Sequence, residues 1–234
     1  MKVRYLIKYT KESEIKFISH LDLMRTIQRV IRRARLPIEY SKGFNPHMTI
    51  SIAQPLSVGS YSKGEYMDVV FTEDIDENQI LKNLNENTPR GVIFLDVKKV
   101  ENKENSKAPQ AMAIIDAAKY IIKLKAKDVN KALEDIKNLN KESQWNIVKK
   151  SKKGEKEVDI KPLIKEISYS TEKDRVILNT LLACGSRENL SASLLSDYIK
   201  EKVESIEEDS FVDIERIDMY AYKNEKILSL NQYF

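Results

Sequence analysis

The stretch Lys2-Val3-Arg4-Tyr5-Leu6-Ile7-Lys8-Tyr9-Thr10 reads as a strand, because Val3, Tyr5, Ile7 and Tyr9 fall on one side with period two. A helix follows it. Ser19 stands three residues before Asp22, an acidic version of the capping box, and Leu23, Met24, Ile27, Val30, Ile31 and Ala34 recur at helical spacing until Pro37 ends the run. Beyond it lie Ile38 to Tyr40, the turn-rich loop Ser41-Lys42-Gly43-Phe44-Asn45-Pro46-His47, and the alternating strand Met48 to Ile52. Glu65 to Phe71 alternates again, Asp76 opens a helix carrying Ile80, Leu81 and Leu84, and Val92 to Val100 closes the set.

Strand, helix, two strands, helix, strand is the order of a ferredoxin-like unit, in which two helices cover one face of an antiparallel sheet. The order then repeats. Tyr120 to Leu124, a helix capped by Asp128, a strand from Trp145 to Lys149, a charged turn from Lys150 to Glu157, Arg175 to Ala183, a helix capped by Ser191 and a long strand from Phe211 to Tyr222 supply similar parts. Lys161 to Ser170 fits helix or strand equally. The expected fold is therefore α+β, two tandem ferredoxin-like (βαββαβ) units with antiparallel sheets. Residues 1–100 form the first, the polar, lysine-rich segment 101–116 is a linker, and 117–234 form the second.

Composition narrows the function classes. A chain of 234 residues with 41% hydrophobic and 32% charged residues and a mean hydropathy of −0.47 suits a water-exposed surface over a real core, not a membrane span. Lys2 and Arg4 interrupt what a signal peptide would need as an apolar stretch, so a cytoplasmic location is expected. A single cysteine, Cys184, beside Leu181-Leu182-Ala183, permits no internal disulfide and no cysteine metal site. No cofactor or metal is expected: no Walker loop and no G-x-G-x-x-G occurs, and two histidines lack a third ligand.

Net charge is only +4, so the placement of charge matters more than its sum. Of 40 basic residues 30 are lysine, yet five of the ten arginines (Arg25, Arg29, Arg32, Arg33 and Arg35) crowd into one segment. At 100° per residue, Arg25, Arg29, Arg32 and Arg33 lie opposite the helix's apolar arc. Guanidinium holds phosphate or carboxylate with a planar, two-pronged geometry that ammonium lacks, so this face is a candidate anion surface, with Asp22 and Glu39 offsetting part of its charge. The loop adds Lys42, Phe44 as a base-stacking ring, Asn45, and Gly43 where backbone can approach closely, with Tyr40 and Ser41 beside them. His20, directly after Ser19, and His47, at the loop's end, are the only histidines; brought near one another they would make a general acid-base pair acting on a phosphodiester. Arg187, in the turn Gly185-Ser186-Arg187-Glu188-Asn189, is a second anion candidate at a helix entry.

The runs Phe17-Ile18-Ser19-His20-Leu21-Asp22-Leu23-Met24-Arg25, Arg32-Arg33-Ala34-Arg35-Leu36-Pro37, Tyr40-Ser41-Lys42-Gly43-Phe44-Asn45-Pro46-His47 and Gly64-Glu65-Tyr66-Met67-Asp68 resemble a bacterial family, the radical-SAM-linked domain of unknown function. The resemblance spans nearly the whole chain and is sharpest in the first 70 residues. Lys42 stands where glutamine is common in that family, and Glu188 where proline follows the arginine. The resemblance implies a separate radical SAM enzyme as partner, since this sequence has no C-x-x-x-C-x-x-C motif, and an RNA context. From these features the leading expectation is a module binding tRNA or rRNA, without a reaction of its own, that presents RNA to such an enzyme. The alternatives are a metal-independent ribonuclease using His20 or His47, resembling the double ferredoxin-like CRISPR repeat endonucleases, and a protein scaffold.

Overall fold

The computed structural model describes residues 2–102, 107–151 and 154–234. Residues 103–106 of the expected linker and 152–153 of the expected charged turn lie outside the described residues. The architecture is mixed α+β with mostly antiparallel strands. It divides into two compact units, one of residues 1–116 with 216–234, the other of residues 117–215. The expected boundaries put all of 117–234 in the second unit; residues 216–234 instead pack with the first.

The first unit runs β1 (Val3–Lys11), α1 (His20–Arg33), β2 (Ile50–Ile52), β3 (Tyr61–Phe71), α2 (Glu77–Asn87), β4 (Phe94–Val100) and a short α3 (Ala111–Ile114). It then takes back the later part of β10 (Asp213–Lys223), β11 (Lys226–Ser229) and α6 (Leu230–Tyr233) from the far end of the chain. β1 lies between β4 and β3, antiparallel to both, with Tyr5 opposite Val69 and Lys99. β2 pairs with β3 from Ile50↔Val69 to Ile52↔Met67.

Alternation on β1 works as the period predicts. Val3, Tyr5, Ile7 and Tyr9 join Met67, Val69 and Phe71 of β3, Leu23, Ile27, Val30 and Ile31 of α1, and Ile80 and Leu84 of α2 in one core. Both helices start on the predicted caps: Ser19 accepts the Asp22 N–H and Asp76 the Gln79 N–H. α1 stops where Arg35 takes a left-handed backbone (φ 51°) and Leu36 N–H reaches back to Ile31 O at 3.3 Å, after which Pro37 cannot continue the helix. The segment expected as linker is partly built in: Ala111 is buried, and its N–H donates to the Asp68 carboxylate at 2.8 Å.

The second unit contains β5 (Ala117–Lys125), α4 (Val129–Leu139), the hairpin β6 (Asn146–Ser151) and β7 (Gly154–Asp159), β8 (Ile164–Glu172), β9 (Arg175–Ala183) and α5 (Ala192–Lys202). β5 pairs antiparallel with β9 from Ala117↔Ala183 to Lys125↔Arg175, and β9 with β8. The ambiguous segment resolves into a short 3-10 turn over Lys161–Leu163 followed by strand. Asp128 and Ser191 cap α4 and α5 as expected. Trp145 sits just ahead of β6, fully buried, its Nε1–H on Leu139 O at 3.0 Å and its ring stacked on Tyr198 at 5.2 Å. Cys184 is buried after β9.

Candidate nucleic-acid interface

The outward arc of α1 is the expected one. Arg25, Arg29, Arg32 and Arg33 are all exposed, while Leu23, Ile27, Val30 and Ile31 face the core. Two of the four guanidinium groups are engaged: Arg25 pairs with Asp22 at 2.9 Å, and Arg33 donates to Asn87 O, at the end of α2, at 2.5 Å. Ser19 donates its hydroxyl to the same Asp22 carboxylate at 2.7 Å, and this bond, then Arg25, holds that carboxyl below its ordinary range. Asp22 therefore fixes one arginine and the helix start together. The side chains of Arg29 and Arg32 make no ion pair or hydrogen bond among the described residues. Glu39 does not offset the arginine face, because it is paired with Lys2.

The loop after α1 closes on itself. Tyr40 bridges Met48, Ser41 N–H donates to His47 O at 2.8 Å, and His47 N–H donates to Ser41 Oγ at 2.9 Å. Gly43 holds φ at +122°, a conformation that disfavours any side chain although the space around it is open. Lys42, Asn45 and His47 are exposed, and Phe44 is completely so, at 112% of its reference surface. A ring that exposed lines no pocket. Phe44 is held out on a tightened turn.

His20 and His47 belong to different ends of this unit. His20 opens α1 close to Lys16, whose carbonyl accepts from Lys11 Nζ at 2.9 Å, and Lys11 lies opposite Ser62 on β3. The loop that ends at His47 leaves the sheet where Glu39 N–H bonds Val70 O. Eight residues of strand separate Ser62 from Val70, roughly 26 Å at 3.3 Å per residue. The acid-base pair needs the two imidazoles near one another; the helix between them keeps them apart, and neither makes a side-chain hydrogen bond among the described residues. Arg187, in the second unit, is exposed in the turn that Leu190 N–H closes on Ala183 O at 2.9 Å.

Among the described residues no group of three or more His, Cys, Asp or Glu could hold a metal ion. The first unit does contain a buried polar layer. Arg216 grips Glu65 through Nε and Nη2 and gives Nη2 also to Gln54 O at 2.8 Å, both side chains being almost wholly buried. Lys11 is buried close by, and desolvation lowers its pKa. The Tyr9 hydroxyl in the same layer has no hydrogen-bond partner among the described residues, and burial, then the Glu65 charge, pushes it well up. Further along β3, Tyr66 donates to Asp218 at 2.6 Å, Lys8 pairs with Asp218 at 2.7 Å, and Asp68, raised chiefly by burial, lies 3.5 Å from Arg4.

A family model, DUF2344, described as an uncharacterized protein conserved in bacteria, matches residues 4–192. The chain belongs to the DUF2344 family. No curated protein matches it. Among solved structures it is similar to one described as an unknown protein from Galdieria sulphuraria, at 10% identity, with 92% of this chain and 99% of that chain covered. The TM-score of 0.28 is too low to carry an argument about the fold.

Within this DUF2344 chain the arginine face and the loop were legible from spacing, whereas Lys11, Glu65 and Arg216 were not. Lys11 and Glu65 are charged residues in strands whose alternation puts them on the core side, Lys11 in step with Val3, Tyr5, Ile7 and Tyr9, and Glu65 with Met67, Val69 and Phe71. That misplaced charge was the available signal. Its counter-charge lies 151 residues further on and leaves no local trace.

Proposed function

We propose that this protein binds RNA along the outward face of α1 and is a module without a reaction of its own. The observation that carries the reading is Arg29 and Arg32: two exposed guanidinium groups on one helix arc that form no ion pair among the described residues, flanked by Arg25 and Arg33. In a chain whose basic residues are mostly lysine, arginine at those four positions favours oxyanions held in two-pronged fashion. Phosphate supplies these oxyanions repeatedly along a strand, and the exposed Phe44, Lys42 and Asn45 are the group types that meet bases and sugars.

The partner in this reading is tRNA or rRNA, presented to a separate radical SAM enzyme as the sequence resemblance implies. We also read both units as ferredoxin-like. Support comes from the order β1-α1-β2-β3-α2-β4 with β1 between β4 and β3, and from β5-α4-β8-β9-α5 with β9 between β5 and β8. The ribonuclease reading loses its histidine pair to the distance between His20 and His47.

The test is titration of the purified protein with fluorescently labelled tRNA over a range of salt. The expected result is an affinity whose logarithm falls linearly with log salt, and its loss when Arg25, Arg29, Arg32 and Arg33 are all changed to Glu. Equal retention of RNA by that variant at physiological salt overturns the proposal.

A further inference from the structure

Ahead of the arginine face the surface changes character. Phe17 and Leu21 are each 64% exposed and Val58 is 59% exposed, in a unit whose other large apolar groups are mostly buried. Their backbone is fixed. Lys16 O accepts both the Gly59 N–H at 2.9 Å and Lys11 Nζ at 2.9 Å, which ties the Val58 turn and the segment before α1 to one buried amine. Lys16 Nζ lies 5.5 Å over the Phe17 ring. Leu21 stands four residues before Arg25 on the same side of α1, so the apolar patch runs directly into the arginines.

Resting on the RNA reading above, we infer that Phe17, with Leu21 and Val58, forms a base-stacking platform and that the ligand is single-stranded RNA. A duplex offers such a patch only phosphates and polar groove edges, and the deep, narrow major groove of A-form RNA does not admit side chains. Covering three apolar side chains with a duplex would therefore gain nothing. An unpaired base has an apolar π-face that covers them, and its phosphate then follows onto the adjacent guanidinium groups. From Leu21 to Arg33 the helix rises about 18 Å, room for about five nucleotides at the stacked spacing of ~3.4 Å. The ammonium of Lys16 above the Phe17 ring adds charge at this end of the patch.

The experiment compares a labelled single-stranded oligonucleotide with a hairpin duplex of the same composition. Both are titrated with wild type, Phe17→Ala, Phe17→Trp and the Arg29→Glu/Arg32→Glu double variant. Phe17→Ala should weaken single-strand binding by about 5- to 160-fold with the salt slope unchanged, the range set by removal of one stacked ring. Phe17→Trp should keep the affinity and gain an emission that the single strand quenches. Unchanged single-strand affinity in Phe17→Ala, while the double arginine variant loses binding, overturns the platform and leaves the RNA reading standing. Equal losses on strand and duplex would mark Phe17 as merely structural and overturn it too. Binding of an acidic polypeptide with no binding of either RNA overturns both.

Discussion

Arg216 and Glu65 form a two-pronged ion pair, Nε on Oε1 at 2.7 Å and Nη2 on Oε2 at 2.5 Å, with side chains only 1% and 2% exposed. Such a pair stabilises little relative to an apolar filling, but removing one member leaves a buried charge without its counterion. Glu65→Leu or Arg216→Met alone is therefore expected to cost about 3–5 kcal/mol, and the Glu65→Leu/Arg216→Met double substitution less than either single change. Urea unfolding of wild type, the two single variants and the double variant measures this; additive single losses would refute coupling.

Tyr9 gives the opposite prediction. Its hydroxyl is buried with no partner among the described residues, so it is desolvated without return. Tyr9→Phe keeps the ring against Phe94, at a centroid distance of 6.2 Å, and should raise stability by about 1 kcal/mol, read as a higher urea midpoint with an unchanged slope. A lower midpoint would mean that the hydroxyl has a water partner.

Alkaline pH tests the tyrosines as a set. Burial raises the phenols of Tyr9 and Tyr66 above the ordinary value of 10.0 and brings Tyr169 to about 12. The folded state thus keeps protons that the unfolded chain releases. Stability is full below pH 10 and is lost as pH rises above it, towards the folded values. Phenolate absorbance at 295 nm should show the Tyr9, Tyr66 and Tyr169 phenols ionising only together with unfolding; their ionisation near pH 10 in a protein that stays folded would contradict this.

Gly64 is needed for space. A Cβ there would stand 2.5 Å from Ile217 O and 3.0 Å from the Asp218 Cα, both backbone atoms that cannot rotate away. Gly64→Ala should lower stability by more than ~2 kcal/mol, whereas Gly43→Ala, with open space but φ +122°, should cost about 1 kcal/mol. Thermal melts of the two variants rank them directly.

Arg29→Glu with Arg32→Glu separates surface from fold. Neither side chain makes an ion pair or hydrogen bond among the described residues, and Arg29 acts on Asp22 only as the last of its electrostatic influences, so the melting transition should stay within ~0.5 kcal/mol of wild type. RNA affinity should fall, and its salt slope should shrink by about 0.7 for each phosphate no longer held. Arg25→Glu alone should do less to binding and more to the helix start, because Arg25 is already tied to Asp22.

Elements were legible wherever local physics fixes them. Ser19, Asp76, Asp128 and Ser191 each cap the helix that their spacing indicated, and the alternation of Val3, Tyr5, Ile7 and Tyr9 gave the buried face of β1. The arginine arc followed from the 3.6-residue period in the same way. Partition of the chain was not legible. That 216–234 packs with the first unit depends on pairing between distant strands, which no window of sequence displays. The separation of His20 from His47 was equally hidden, since two turn residues on either side of a helix look adjacent until the helix is given its length.

The pairing of Glu65 with Arg216 also sets an order of events during synthesis. At a ribosomal rate of about 5–20 residues per second, the arginine is made about 8 to 30 s after its carboxylate. For that interval the nascent amino-terminal half holds Lys11 and Glu65 on a sheet face that cannot yet close over them. Glu65 lacks its Arg216 counter-charge in that window, which closes only when β10 has left the exit tunnel.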